Sequence, residues 1–198
     1  MTESSGRALE QRPIDSERDE LTATLSRQAF VVKLTARTER ALREGSGFGL
    51  CVVDLDHFKN INLSHGPTCG DDALRDIAQR LVRTTSAVPD GGSGAIIARY
   101  DGNAFAVLIE TESPLALAAG AEALRQAVGD TRSPTGGSLS ASVGAVLARI
   151  GEPVDALLVR AEQTLYLAKQ FGRDRVEIGR SPTPVGVDRS VLALRRSA

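Results

Sequence analysis

Two acids, Asp54 and Asp56, follow directly on the apolar run Leu50-Cys51-Val52-Val53. Carboxylates at the end of a buried strand are costly beside an apolar core unless something compensates them. Alternate side chains of an extended chain point the same way, so the pair could share one divalent cation. Magnesium suits such a place, held by one or two carboxylates and substrate phosphates. The same spacing also suits two acids that cap the next helix and face water, and spacing alone leaves both readings open. Lys169 and Arg173 stand one helical turn apart, which puts both on one helix face. On spacing alone this is a plain solvent-exposed arrangement. His57 and His65 have no third soft ligand nearby and read as single surface or half-buried histidines. Cys51 reads as a small buried hydrophobe, and with Cys69 it forms no close metal-binding pair or disulfide framework.

Hydrophobic periodicity supplies the elements that must position these groups. A helix is expected over 21–43, with Phe30, Val31, Leu34, Ala41 and Leu42 at helical spacings, ended by Gly45-Ser46-Gly47. Residues 48–55 form a buried strand. A helical pattern through Phe58 and Ile61 breaks at Gly66-Pro67, and a stronger helix covers 71–84, with Asp71 and Asp72 near its positive end. After a loop at 89–94, strands 95–100 and 105–110 flank the turn 101–104 as a hairpin. A helix over 114–128, a loop at 130–137, a strand over 138–147, a helix over 153–171 stopped by Gly172, and a short strand over 175–178 complete the domain. Interleaved helices and strands with a hairpin give an α/β or α+β class whose sheet is at least partly antiparallel. Residues 1–18 read as a polar leader, 19–179 as the domain, and 180–198 as a tail carrying the apolar run Val191-Leu192-Ala193-Leu194.

The 198 residues suit one domain, and 41% apolar with 25% charged residues is enough for a core that needs no disulfide or metal to fold. With 24 basic and 25 acidic residues nearly cancelling, a broad surface for nucleic acid or anionic membrane is not expected, while the balance still leaves room for a small local phosphate site. No run approaches the roughly 20 apolar residues that cross a bilayer, and the first residues lack the apolar stretch of a signal peptide. A cytoplasmic protein is expected.

Several segments, in order, resemble the GGDEF domains of the diguanylate cyclase family. Asp54-x-Asp56-x-Phe58-Lys59-x-Ile61-Asn62, then Gly66 and Gly70-Asp71, is similar to that family's D-x-D-x-F-K-x-I-N-D-x-x-G-H-x-x-G-D. Asp19-Glu20-Leu21-Thr22 with Ser26-Arg27-Gln28-Ala29-Phe30 resembles its opening D-x-L-T-G-L-x-N-R-R-x-F. Ser142-Val143-Gly144 resembles its S-I-G strand. Ala161-Glu162 with Leu165-Tyr166-x-Ala168-Lys169-x-x-Gly172-Arg173-Asp174-Arg175-Val176 resembles its closing A-D-x-A-L-Y-x-A-K-x-x-G-R-N-R-V. The likeness runs from Asp19 to Ile178. It implies a central, mainly antiparallel sheet flanked by helices, akin to adenylyl cyclase cores and polymerase palms. It also implies an activity, the joining of two GTP into cyclic di-GMP across a homodimer. By position, Asp54 and the Leu55 carbonyl would hold magnesium, Phe58 and Lys59 would lie beside the triphosphate, Asn62 and Asp71 would read the guanine edge, and Lys169 and Arg173 would meet phosphates.

The segment that names the family departs from it. Here Asp101-Gly102-Asn103-Ala104-Phe105 stands for G-G-[DE]-E-F. Asp101 brings bulk and negative charge where a glycine lets the backbone approach phosphates. Asn103 is an amide that cannot act as a base, and Ala104 offers no ligand where two-metal phosphoryl chemistry needs acids. Leu63 and Pro67 stand where the family has Asp and His. Gly92 and Ala95 stand where its product-sensing R-x-x-D would be. The nucleotide-contacting residues are thus better kept than the catalytic ones. The expectation is a catalytically silent homologue that binds guanine nucleotide with magnesium, or contacts a protein partner in a signalling pathway. Residual cyclase activity, rearranged metal chemistry using Asp54, Asp56 and Asp101, and a pure interaction module are the alternatives. A homodimer is compatible with each. With no sensor domain beside it, regulation is expected from a separate protein or from the two tails.

Overall fold

Side-chain hydrogen bonds decide where the first helix begins in the computed structural model, which describes residues 17–86, 96–131 and 138–179. Asp19 accepts from the backbone N–H of Thr22 at 2.9 Å and from its hydroxyl at 2.8 Å. Such local bonds compete with helix, and Ala23 turns left-handed with φ 58°. Helix α1 therefore spans Arg27–Glu44, with the Ser26 hydroxyl accepting from the Ala29 N–H, and does not begin at residue 21. It stops where left-handed Gly45 donates its N–H to the Ala41 carbonyl.

Strand β1 (Gly49–Leu55) leads into helices α2 (Phe58–His65) and α3 (Pro67–Ser86). Pro67 opens α3, where a missing N–H costs nothing. Because α3 starts a turn earlier than the periodicity implies, its first turn holds no acid. Asp71 and Asp72 sit deeper in the helix, and the dipole argument for them fails. Strands β2 (Ile96–Asp101) and β3 (Ala104–Ile109) form the expected hairpin, Asp101 pairing with Ala104 across Gly102-Asn103. Helix α4 (Pro114–Gly129), strand β4 (Ala141–Leu147), helix α5 (Val154–Gln170) and strand β5 (Val176–Gly179) follow. Residues 1–16 of the leader, the tail from 180, the expected loop at 89–94 with Gly92 and Ala95, and 132–137 of the expected loop at 130–137 lie outside the described residues.

The sheet order is β2-β3-β1-β4-β5, antiparallel except for the parallel pair β4–β5. The mainly antiparallel sheet flanked by helices is as expected. Cys51, Val53, Leu55, Phe105, Val107 and Val143 pack with α3 and α4. Leu50, Val52, Ala106, Leu108 and Val146 pack with α1 and α5 on the opposite face. A strand covered on both faces reads as a continuous apolar run, which is what β1 shows. The outer edge of β2 is stitched to the chain before α1: Leu25 donates to the Ile97 carbonyl at 3.0 Å and accepts from the Arg99 N–H at 2.9 Å. Gly144 is a very close approach of sheet to helix. A Cβ there would lie 2.2 Å from the backbone nitrogen of Leu165 and 2.6 Å from the Ala161 carbonyl oxygen.

Candidate functional site

The chain delivers Asp54 and Leu55 to one end of the central strand, where the β2–β3 turn and the last turn of α5 meet them. Asp54 is flanked by Ala104 on β3 and Ser142 on β4. Its Oδ1 lies 2.9 Å from Lys169 Nζ and accepts from Asn103 Nδ2 at 3.3 Å. The same amide donates to the Leu55 carbonyl at 2.9 Å, while the Leu55 N–H donates back to the Asn103 carbonyl at 3.2 Å. Lys169 and Asp54 have side chains only 32% and 16% exposed, so this is a sheltered pair and not a surface contact.

The family resemblance assigns magnesium to these residues, and the donor set does not fit one. Asn103 aims N–H groups at the oxygens a cation would use, and Lys169 already neutralises Asp54. Ala104 is buried and brings no oxygen. Among the described residues no group of three His, Cys, Asp or Glu side chains could hold a metal ion.

Asp56 is not a second ligand beside Asp54. Its buried carboxylate accepts from the Ser140 hydroxyl at 2.9 Å, the Ser142 hydroxyl at 2.7 Å and the Asp174 N–H at 3.0 Å. Those three donors satisfy it, so neither a shared cation nor a solvated cap describes it. The signal is present in Ser142 beside Gly144, but hydroxyls on a neighbouring strand cannot be matched to an acid without the sheet register. Asp174 is further tied to Arg125 on α4.

Arg173 does not share a helix face with Lys169. Helix α5 ends at Gln170, and Gly172, Arg173 and Asp174 all take positive φ, of 116°, 63° and 43°. The Arg173 N–H closes on the Ala168 carbonyl at 3.1 Å, leaving its side chain exposed. Lys169 alone turns inward.

A second corner forms between α2 and α3. Phe58 is half-buried against the core and Lys59 is exposed. The Asn62 Oδ1 is buried and has no hydrogen-bond partner among the described residues. Gly70 makes room for it, since a Cβ at residue 70 would lie 1.9 Å from that oxygen and 3.0 Å from Phe58 Cζ. Half-buried Asp71 is the next residue. His57 and His65 are exposed, and His57 opens α2 with φ 55°.

The hairpin turn is held from behind. Arg99 donates to the Gly102 carbonyl through Nε at 3.0 Å and Nη2 at 2.9 Å, and through Nη1 to the carboxylate of Asp19 at 3.3 Å. Burial pushes the Asp19 carboxyl up, but the Thr22 hydroxyl and N–H and the Arg99 guanidinium outweigh it and hold the group below its ordinary value. Asp101 is exposed, and its side chain bonds only the neighbouring Gly102 N–H among the described residues.

Comparison with known proteins agrees with this architecture. The family model described as "Diguanylate cyclase, GGDEF domain" matches residues 16–175. Diguanylate cyclase DgcP of Pseudomonas aeruginosa is 34% identical over 81% of this chain, and diguanylate cyclase VdcA of Vibrio cholerae is 33% identical over 80%. This chain spans 23% and 45% of those two proteins' lengths. The GGDEF domain of DgcB from Caulobacter crescentus, solved with cyclic di-GMP, superposes with a TM-score of 0.75 at 30% identity, over 85% of this chain and 98% of that one. Diguanylate cyclase SiaD of Pseudomonas aeruginosa, solved with its activator SiaC, gives 0.74 at 30% identity, over 82% and 62%. Matched across most of its length in sequence and in fold, the chain belongs to the diguanylate cyclase GGDEF-domain family.

Proposed function

We propose that this chain is a cytoplasmic signalling module of the GGDEF family that reads guanine nucleotide and does not itself join two GTP into cyclic di-GMP. One observation carries the reading: the Asn103 side chain, standing where the family has an acid, donates to Asp54 and to the Leu55 carbonyl. An amide cannot take a proton from an attacking hydroxyl, and Ala104 beside it cannot hold an ion that would activate one.

The guanine corner supports the binding half of the proposal. A buried oxygen without a partner is costly, and Asn62 Oδ1 is in that state beside Gly70. Guanine offers N–H groups on one edge, which Asn62 and the Asp71 carboxylate suit as acceptors. Phe58, Lys59 and Arg173 would serve the phosphates. Its signal would pass through a protein contact; the relative SiaD, solved with its activator SiaC, supports contact with a separate protein.

Calorimetric titration of GTP into the protein tests this, alongside Asn62→Ala and Asp71→Ala. Loss of a hydrogen bond to a charged acceptor is worth about 1.5–3 kcal/mol, so Asp71→Ala should weaken binding about tenfold or more. Binding indifferent to both substitutions, or absent at millimolar GTP, removes the nucleotide from the reading and leaves protein contact alone. Cyclic di-GMP formed by the wild-type protein, and lost in Asp54→Ala, would overturn the catalytic half.

A further inference from the structure

The GGDEF cyclase family generally uses Mg2+ with GTP, so the contacts around Asp54 raise a separate question of what balances its charge. We infer that Lys169 and Asn103 together replace the divalent cation, so that the site at the end of β1 is neutralised by the chain itself and takes no metal.

Three arguments converge on this. The first is charge. Asp54 carries one negative charge and Lys169 Nζ, 2.9 Å away, carries one positive charge. The pair is sheltered and nets to zero, so it offers no field to draw a dication. A hard cation of this class needs anionic oxygens, and the family's acid at position 103 would supply a second one. The second is geometry. Asn103 Nδ2 lies 3.3 Å from Asp54 Oδ1 and 2.9 Å from the Leu55 carbonyl oxygen, a bridging position between the two expected ligands. Turning the amide over would set its oxygen against both acceptors, so the hydrogen-bond pattern fixes the nitrogen there. The third is the backbone. The Leu55 N–H donates to the Asn103 carbonyl at 3.2 Å, which holds the amide in that position from the main chain. An ammonium and an amide therefore present protons where a metal would present charge.

The inference does not depend on nucleotide binding, and metal alone tests it. Mn2+ is titrated into the full chain and followed by electron paramagnetic resonance. Melting temperatures are recorded with MgCl2 against NaCl of equal ionic strength. Wild type is expected to leave the free Mn2+ signal intact and to melt identically in the two salts. Asn103→Asp exchanges the bridging donor for a second carboxylate. It is expected to bind Mn2+ and to melt about 5–10 °C higher at MgCl2 a hundredfold above its dissociation constant than without it. A wild-type Mn2+ site that Asp54→Asn removes would overturn the inference, and so would a folded Asn103→Asp that takes no Mn2+. If Asn103→Asp does not fold, Lys169→Met serves instead. With the ammonium gone and the Asn103 N–H groups still facing both oxygens, the melting temperature should fall equally in the two salts and the free Mn2+ signal should stay intact. A Lys169→Met protein that takes up Mn2+ at a site lost with Asp54→Asn would show that Asn103 does not keep the cation out, and overturns the inference as well.

Discussion

The backbone N–H of Asp174 donates to the buried carboxylate of Asp56, 3.0 Å away and 118 residues earlier in the chain. This bond and the two serine hydroxyls on the same carboxylate pin a turn in which Gly172, Arg173 and Asp174 are all left-handed. Non-glycine residues in that region cost of order 1–3 kcal/mol each and persist only when their surroundings enforce them. Asp56→Ala leaves three donors unanswered and should destabilise the domain by about 3 kcal/mol or more in urea denaturation. Hydrogen exchange should rise at Arg173 and Asp174 before it rises in α5. Unchanged exchange there would show that Asp56 does not hold the turn.

Gly144→Ala is expected to be severe. The added methyl would meet backbone atoms of Leu165 and Ala161, which cannot swing aside as a side-chain tip can. Helix α5 must move off the sheet, and overpacking of this kind costs about 1–3 kcal/mol, occasionally more. The melting temperature should fall, and the Asp54–Lys169 pair should loosen with the helix. A melting temperature equal to wild type would contradict the close approach.

Acid should break the Glu152–Arg160 pair only below the ordinary carboxylate range. Burial pushes the Glu152 carboxyl up, but the hydrogen bonds from Arg160 and from the Arg149 N–H, with their charges, more than offset this and hold it below its ordinary 4.5. A depressed pKa means the stabilisation is complete above 4.5 and is lost as pH falls below that value through the folded pKa. Glu152→Gln should therefore cost about 3 kcal/mol at neutral pH, since it strands a largely buried guanidinium. Its stability should also decline less steeply than wild type below 4.5. Denaturation midpoints collected across the acid range would show parallel curves if the pair were unimportant.

Restoring the signature in one triple variant, as Asp101→Gly, Asn103→Asp and Ala104→Glu, should yield cyclic di-GMP from GTP and Mg2+, read by chromatography. Adding Asp54→Asn should silence it. A restored loop that stays inactive while folded would show that the corner around Asn62 and Asp71 no longer presents GTP productively.

Legibility in the sequence depends on whether a role belongs to one residue or to a pairing. The strand before Asp54, the break at Gly66-Pro67 and the hairpin around Gly102-Asn103 each follow from local residue types, and the structure has all three. Apolar spacing places the start of α1 too early because it continues through Leu21, while the Asp19–Thr22 bonds that prevent helix involve side chains that spacing does not weigh. Asp56 is half-legible: strand alternation implies a carboxylate in need of compensation, but its donors lie on and before β4 and after α5, more than 80 residues on. Four-residue spacing pairs Lys169 with Arg173, although Gly172 between them already marks a helix stop; the structure ends α5 at Gln170 and turns Arg173 away. The ion pair from Lys169 to Asp54 joins two residues that the family resemblance assigns to different ligands.

Arg99 has a mechanical consequence. One guanidinium grips the Gly102 carbonyl with two nitrogens and the Asp19 carboxylate with the third, while its own backbone is sewn to Leu25. The turn before α1 and the hairpin turn are thus riveted through a single side chain. A tug on the chain at Asp19 reaches Gly102 across that rivet without passing through the core, and slack at one turn becomes slack at the other.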